Sequence, residues 1–571
     1  MKTLEQYDPS DWRPSQRDYA ELVRAVATMP GDRRIGLEGP CGSGKSIGYL
    51  RPLFDPTVAP SLVLTTTRQH LKQIEETLER YWPDAGAWEV LRGRDHYGCC
   101  KAPRPVQGED ADPSEVWASV GKGCPLGLGC RYRAAVIRAG AAKVVVQCTI
   151  GALYRRRFWS QLELPADPTP EQVELHEARQ SILSRQVAVL DEAHEYLRVR
   201  REFETERLSI WPAAFRPELQ KALADARMKG GGYKSSYVLL KRNVGLGLAI
   251  ECEYRDALLS HNLEKELDRV ELASKKSGKS FNRTAYQLML AKQYGDRIAL
   301  LQKTATDTAG LPTPKFDPVV YVEWDGLKCK LISEPLYIND RDKFAEREIF
   351  TSATLAGVAG LLGIDVKQWL HCFPPVFSPE AIDPMPLDDN AEGTQKNVPL
   401  GAAELLSIYE SEGRPLTIVL YLSKRAAHDA ARALAKRPGV FVQGLRASAF
   451  GDDEEMSLGE MVYEVKAAAA AGSAPFLVCY GGWVGTDIPG EKWLVIGQAP
   501  KTPLAPYIEE RQNRKLGGGW NDYEKVTLDR LQLAQGLGRA LRSDRDRAVV
   551  IWPANAAFKQ LGLDPATAQL R

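Results

Sequence analysis

Short apolar runs alternating with helical stretches occur in two separate parts of this chain, which is the pattern of a parallel α/β sheet built twice. In the first part the runs are Arg34-Ile35-Gly36-Leu37, Ser61-Leu62-Val63-Leu64, Lys143-Val144-Val145-Val146 and Val187-Ala188-Val189-Leu190. The second rhythm runs from about Leu400 to the end, with strands expected near Thr417–Leu422, Phe476–Tyr480, Trp493–Ile496 and Ala548–Trp552. Two stretches interrupt the first part. Arg94 to Cys130 is rich in Pro, Gly and Cys and reads as a small inserted module, and about Arg200 to Thr313 reads as helical and highly charged. Val320 to Ile338 returns to alternation, Ile349 to Leu355 is a further strand-like run, and the Ala-rich stretch at 466–472 reads as a surface helix end.

Size and charge narrow the class without naming the chemistry. The 571 residues suggest about four compact units. The balance of 75 Lys+Arg against 74 Asp+Glu excludes a histone-like or acidic-tail protein, and it leaves room for a nucleic-acid binder that uses local patches. Mean hydropathy is -0.32 and no apolar run is long enough for a membrane span. The start, MKTLEQYDPSDWRPSQ, carries no apolar signal region, so a cytoplasmic protein without a membrane partner is expected, and the ten cysteines read as thiols or ligands rather than disulfides.

Three motifs carry chemistry. Gly39-Pro40-Cys41-Gly42-Ser43-Gly44-Lys45-Ser46 fits G-x-x-x-x-G-K-[ST] and follows the run Ile35–Leu37 directly. Such a loop turns its backbone N–H groups toward phosphates at a helix N-terminus, Lys45 adds a point charge, and the Ser46 hydroxyl is placed to ligate Mg²⁺. Asp191-Glu192-Ala193-His194 follows Val187–Leu190, so two carboxylates emerge at the end of a second strand, Asp191 for Mg²⁺ and Glu192 for the attacking water. Gln535, Arg539 and Arg542, at i, i+4 and i+7, are expected on one helix face, where two guanidinium groups suit a phosphate that gains charge during transfer. Taken together, the motifs predict an ATPase whose two lobes close on ATP.

The order of these motifs resembles the superfamily 2 helicases, and among them the DinG/XPD-like group, over nearly the whole chain. Trp12-Arg13-Pro14-Ser15-Gln16 is similar to the group's Q-motif, which implies adenine contacts from Arg13 and Gln16. Leu64-Thr65-Thr66-Thr67-Arg68 stands in the place of motif Ia, which implies nucleic-acid backbone contacts from Thr65, Thr66 and Arg68. Phe350-Thr351-Ser352-Ala353-Thr354-Leu355 resembles the "TSATL" element that couples hydrolysis to strand movement. Gly485-Thr486-Asp487-Ile488-Pro489-Gly490 is a reduced match to "EGxDxPG" and implies an ATP contact from Asp487. The ending Leu541-Arg542 departs from the QRxGRxGR of DEAH-type RNA helicases and favours the DinG/XPD side.

Arg92-Gly93-Arg94-Asp95-His96-Tyr97-Gly98-Cys99 resembles the opening of this family's iron–sulfur insertion, and Cys130-Arg131-Tyr132 its close. The resemblance implies a [4Fe–4S] cluster on Cys99, Cys100, Cys124 and Cys130. Zinc stays open because four thiolates also satisfy tetrahedral coordination, as does a degenerate, metal-free module; the adjacent side chains of Cys99 and Cys100 diverge in extended backbone, which sets Cys100 apart among the candidate ligands. The charged insertion resembles the family's arch, with Lys275, Lys276 and Lys279 as candidate single-strand contacts.

The expected architecture is α/β, with two RecA-like parallel-sheet motor domains and, within the first, a cysteine-rich Fe–S insertion and a helical arch. Its expected division is motor domain 1 over 1–95, 131–199 and 317–395, the cysteine module over 96–130, the arch over 200–316 and motor domain 2 over 396–571. The resemblance implies an ATP-dependent helicase that moves 5′→3′ as a monomer on single-stranded DNA, opens duplex DNA and uses ATP and Mg²⁺. The alternative is a DinG-like accessory ATPase that clamps or remodels nucleic-acid complexes without unwinding. Either could work beside a CRISPR ribonucleoprotein or replication and repair proteins.

Overall fold

The structure is a computed structural model that describes residues 14–39, 44–84, 86–97, 130–210, 237–239, 318–324, 329–338, 343–373, 381–387, 399–444, 458–480, 488, 490–500, 505–516, 520–538, 540–541 and 546–564. Among these, a seven-stranded sheet has the order Leu370–Cys372, Arg33–Glu38, Arg347–Ser352, Val187–Asp191, Ser61–Thr65, Val144–Cys148, Trp88–Leu91, and every neighbouring pair is parallel. Its central strands are buried along their whole length, which explains their unbroken apolar runs. Successive side chains nevertheless serve different cores. Leu62, Leu64, Val145, Ala188, Leu190 and Phe350 face one helical layer, while Val63, Val144, Val146, Val187, Val189 and Ile349 face the other.

A second, six-stranded parallel sheet has the order Ile382–Leu387, Ala548–Pro553, Lys492–Ile496, Leu416–Tyr421, Phe476–Tyr480, Val440–Val442. It too splits its residues between two layers, with Ile418, Leu420, Leu477 and Val550 on one side and Val419, Phe476, Val478 and Ile551 on the other. The Ala-rich stretch closes the helix Leu458–Ala470 at the surface, as the sequence suggests.

Two sequence boundaries move. Ile382–Leu387 falls in the stretch expected to belong to the first motor domain, yet it pairs with Ala548–Pro553 in the second sheet. The alternating segment 320–338 forms the strands Val319–Trp324 and Cys329–Glu334, and these do not join the first sheet. They build a separate antiparallel sheet with Glu206–Ile210 and Tyr237–Leu239, two strands inside the stretch expected to be purely helical. Charge density misleads there, because partners far along the chain decide strand pairing.

This small sheet packs on the second lobe. Leu239, Val319, Tyr321, Ile332 and Leu336 share a core with Tyr507 and Ile508 of the helix Pro506–Asn513. The Tyr507 N–H donates to Glu334 Oε1 (3.0 Å), Arg511 donates to the Leu336 carbonyl (2.8 Å), and the Arg201 guanidinium lies 3.3 Å from the centre of the Tyr507 ring. Arg201 comes from the first lobe's helix Tyr196–Glu204, so this contact ties the two lobes together. Among the described residues, no helix is long and apolar enough to cross a membrane.

Candidate functional site

The strand Arg33–Glu38 leads into the G-x-x-x-x-G-K-S loop. Gly36 is needed for close packing, since a Cβ there would lie 2.9 Å from both Leu355 and Leu370. The Gly39 N–H donates to the Ser352 carbonyl (3.0 Å), which fixes the start of the loop against the TSATL strand. Pro40, Cys41, Gly42 and Ser43 lie outside the described residues. At the far end Gly44 takes φ +74, a left-handed conformation that favours glycine, and it precedes the helix Lys45–Leu53. A Cβ on Gly44 would meet Gln16 Nε2 at 1.6 Å, so the Gln16 amide is laid directly over the loop. Lys45 Nζ reaches back to donate to the Gly39 carbonyl (2.9 Å) and thereby spans the turn. The site thus gathers Gln16, Gly39, Gly44, Lys45 and Ser46, whereas Arg13 lies outside the described residues.

Asp191 ends the strand Val187–Asp191 and is buried. Its Oδ2 accepts from the Tyr49 hydroxyl (2.9 Å) and its Oδ1 from the Glu192 N–H (3.0 Å), so both carboxylate oxygens are held. Burial, then the Glu192 charge, push its pKa up to about 6, against the opposing pull of His70, Lys45 and the Tyr49 hydrogen bond. Glu192 adopts φ +51, an uncommon left-handed state for a residue with a side chain. That turn sets its carboxylate 3.4 Å from His194 Nδ1. The oxygen donors Ser46 and Asp191 beside Lys45 fit a hard, hydrated Mg²⁺ that arrives with a nucleotide phosphate.

His194 joins these parts. Its Nδ1 lies 2.6 Å from Ser352 Oγ, and its Nε2 is hydrogen-bonded to the Gln535 side-chain amide. Burial pushes its pKa down, against the carboxylates Glu192 and Glu195, which favours the neutral ring. Gln535 sits on the helix Trp520–Leu537, which passes beneath both lobes' contact region: Leu531 packs in the first lobe's core and Leu533 in the second's. The expectation of one helical face through Gln535, Arg539 and Arg542 is corrected in part. The helix ends at Leu537, Ala540 and Leu541 are not helical, and the two arginines lie outside the described residues, as does Asp487.

The nucleic-acid candidates fare unevenly. Thr65 is fully buried, with its hydroxyl donating to the Thr67 carbonyl (3.3 Å), so its side chain cannot touch a strand at the surface. It ends a central strand, which is why it faces the core. The Thr66 hydroxyl is also buried, with no partner among the described residues, while Arg68 is exposed at the start of the helix Arg68–Tyr81. Near it, Arg92 is paired with Glu75, and the buried Arg155 is hydrogen-bonded to Gln147 and to the Arg92 carbonyl, so of these three arginines Arg68 is the exposed one. Lys275, Lys276 and Lys279 lie outside the described residues.

The cysteine module is described at its edges alone. Cys130 is buried and precedes the helix Arg131–Ala141, whereas Cys99, Cys100 and Cys124 lie outside the described residues. Among the described residues, no group of three or more His, Cys, Asp or Glu side chains could hold a metal ion. A single described thiol does not test the fit of a four-thiolate cluster, and no chemistry is derived from one.

Two parallel sheets that meet through a P-loop, a paired carboxylate and a glutamine from the second lobe define a two-lobed α/β fold with a phosphate-type loop at its seam. The comparisons agree at the level of fold. No family model matches the sequence, and no curated protein matches it. Among solved structures, the chain is similar to one titled "XPD_Helicase", at 15% identity and a TM-score of 0.51, covering 96% of each chain. It is also similar to "Structure of S. tokodaii Xpd4", at 14% identity and a TM-score of 0.50, again covering 96% of each. The chain therefore shares the fold of these two structures along nearly its whole length.

Proposed function

We propose that this protein is an ATP-driven DNA helicase that moves along single-stranded DNA. The observation that carries the reading is the His194 contact: one buried ring joins the Glu192 carboxylate, Ser352 of the TSATL strand and Gln535 of the second lobe. A lobe movement at Gln535 is thereby transmitted to the residue that faces the attacking water, which is what coupling of hydrolysis to motion requires.

In this reading Lys45 and the N–H groups at the start of Lys45–Leu53 bind the phosphates, and Gln16 lies above the loop to meet the base. Ser46 and Asp191 hold Mg²⁺, which supplies charge neutralisation on the phosphates when bound. Glu192 takes a proton from the attacking water, and Arg539 and Arg542 face the charge that develops on the transferred phosphate. Arg68 belongs to the strand-binding side, by its place in the motif Ia stretch and its exposure at the start of the helix Arg68–Tyr81. A [4Fe–4S] cluster on Cys99, Cys100, Cys124 and Cys130 is part of the reading by resemblance of the sequence, as are the lysine contacts of the arch and the 5′→3′ direction.

The test is strand displacement with ATP on 5′-tailed and 3′-tailed DNA duplexes and on RNA–DNA hybrids. Release from the 5′-tailed DNA is expected. Hydrolysis stimulated by single-stranded DNA without release of any strand would replace the helicase reading with that of an accessory clamp.

A further inference from the structure

Behind the carboxylate pair lie two phenols that no motif announces. Tyr49 is fully buried on Lys45–Leu53, one helical turn beyond Ser46, so the two side chains share a face. Its hydroxyl donates to Asp191 Oδ2 (2.9 Å). Tyr19, from the helix Pro14–Thr28, packs its ring on Gly48 and hydrogen-bonds Thr351, the residue beside Asp191 in the sheet. The two rings are alike in burial and differ in what they hold. Tyr49 holds the carboxylate assigned to the metal, and Tyr19 holds Thr351 instead.

We infer that Tyr49 is a positioning residue for the metal-bound nucleotide: its phenol holds one oxygen of Asp191 and fixes the rotation at which that carboxylate would meet the cation. This rests on the nucleotide-site reading above and adds a residue to it. The Glu192 N–H already fixes Asp191 Oδ1, so the phenol supplies the second point that stops the carboxylate from rotating. A single anchor would leave Asp191 free to turn about its bond to the backbone, and a mobile ligand suits poorly a cation that demands near-ideal geometry. The bond also answers a need of the apo site, because Asp191 is buried and an unpaired carboxylate oxygen there would be costly.

The test uses the full chain and the fluorescent nucleotide methylanthraniloyl-ADP, titrated with and without Mg²⁺. Tyr49→Phe should leave metal-free nucleotide binding within about twofold of wild type and raise the Mg²⁺ concentration for half-maximal effect about tenfold, the scale of one hydrogen bond to a charged group. Tyr19→Phe loses an equally buried hydroxyl and should leave the Mg²⁺ requirement unchanged, so a purely structural effect would show in both variants. Thermal melting checks each fold. Placing 4-aminophenylalanine at position 49, which keeps the ring and a weaker donor, is the second variant and should fall between wild type and Tyr49→Phe. An unchanged Mg²⁺ requirement in folded Tyr49 variants overturns the inference while the nucleotide site stands. A wild-type protein that binds no nucleotide, with or without Mg²⁺, overturns both.

Discussion

Replacing Gln535 with alanine removes one amide and leaves the buried His194 ring without its partner across the lobes. The His194 side chain is 5% exposed and its Nδ1 is engaged with Ser352 Oγ at 2.6 Å, so loss of the amide takes the hydrogen-bond partner from a buried ring nitrogen. An orphaned buried polar group costs about 1–3 kcal/mol, which corresponds to roughly 5- to 150-fold in an equilibrium or a rate. Because Gln535 and His194 belong to different lobes, the loss should fall on closure and hydrolysis more than on the stability of either lobe. DNA-stimulated turnover is expected to drop about 10- to 100-fold, with KM for ATP moving less than about threefold. His194→Ala should have a similar effect, and the double variant should be little worse than either single one, a coupling of about 1.4–2.7 kcal/mol. Steady-state ATPase assays on the four proteins read this directly. Effects that add within about 0.5 kcal/mol would show that the contact transmits nothing and would remove the main support for coupled lobes.

Two further outcomes follow from the same site. Glu192→Gln should cut ATP turnover by at least about a hundredfold while ATP affinity, measured by fluorescent-nucleotide titration, stays within a few-fold; substantial residual hydrolysis would contradict the general-base assignment. Protein purified without oxygen should carry iron and sulfide in proportion to a four-iron cluster and lose both on Cys130→Ser, and colourless protein with stoichiometric zinc would assign the thiols to zinc instead.

Much of the fold is legible in the sequence because it is local. Val187–Leu190 and Ser61–Leu64 read as strands from apolar runs of the right length, and the structure extends each by one residue, Asp191 and Thr65. Edge strands escaped for a definite reason. Ile382–Leu387 contains two prolines, which argue against a strand unless it lies at the margin of a sheet, and that is where it lies. The motif position of Thr65 says nothing of which way a strand end faces, and its side chain turns to the core.

The sequence by itself determined the chemistry that hydrogen bonds and turns impose over a few residues. The loop from Gly39 to Ser46 must curl toward phosphate, and Asp191 and Glu192 must stand together at a strand end, because each follows its own strand without intervening structure. Tertiary structure alone decided which distant groups those residues meet. Gln535 stands 341 residues from His194, Tyr19 332 from Thr351, and Glu206–Ile210 pairs with a strand more than a hundred residues on. No periodicity records such pairings, since they depend on how two lobes and a bridging sheet pack. The sequence therefore specified the parts of an ATP site, and packing joined them across the two lobes.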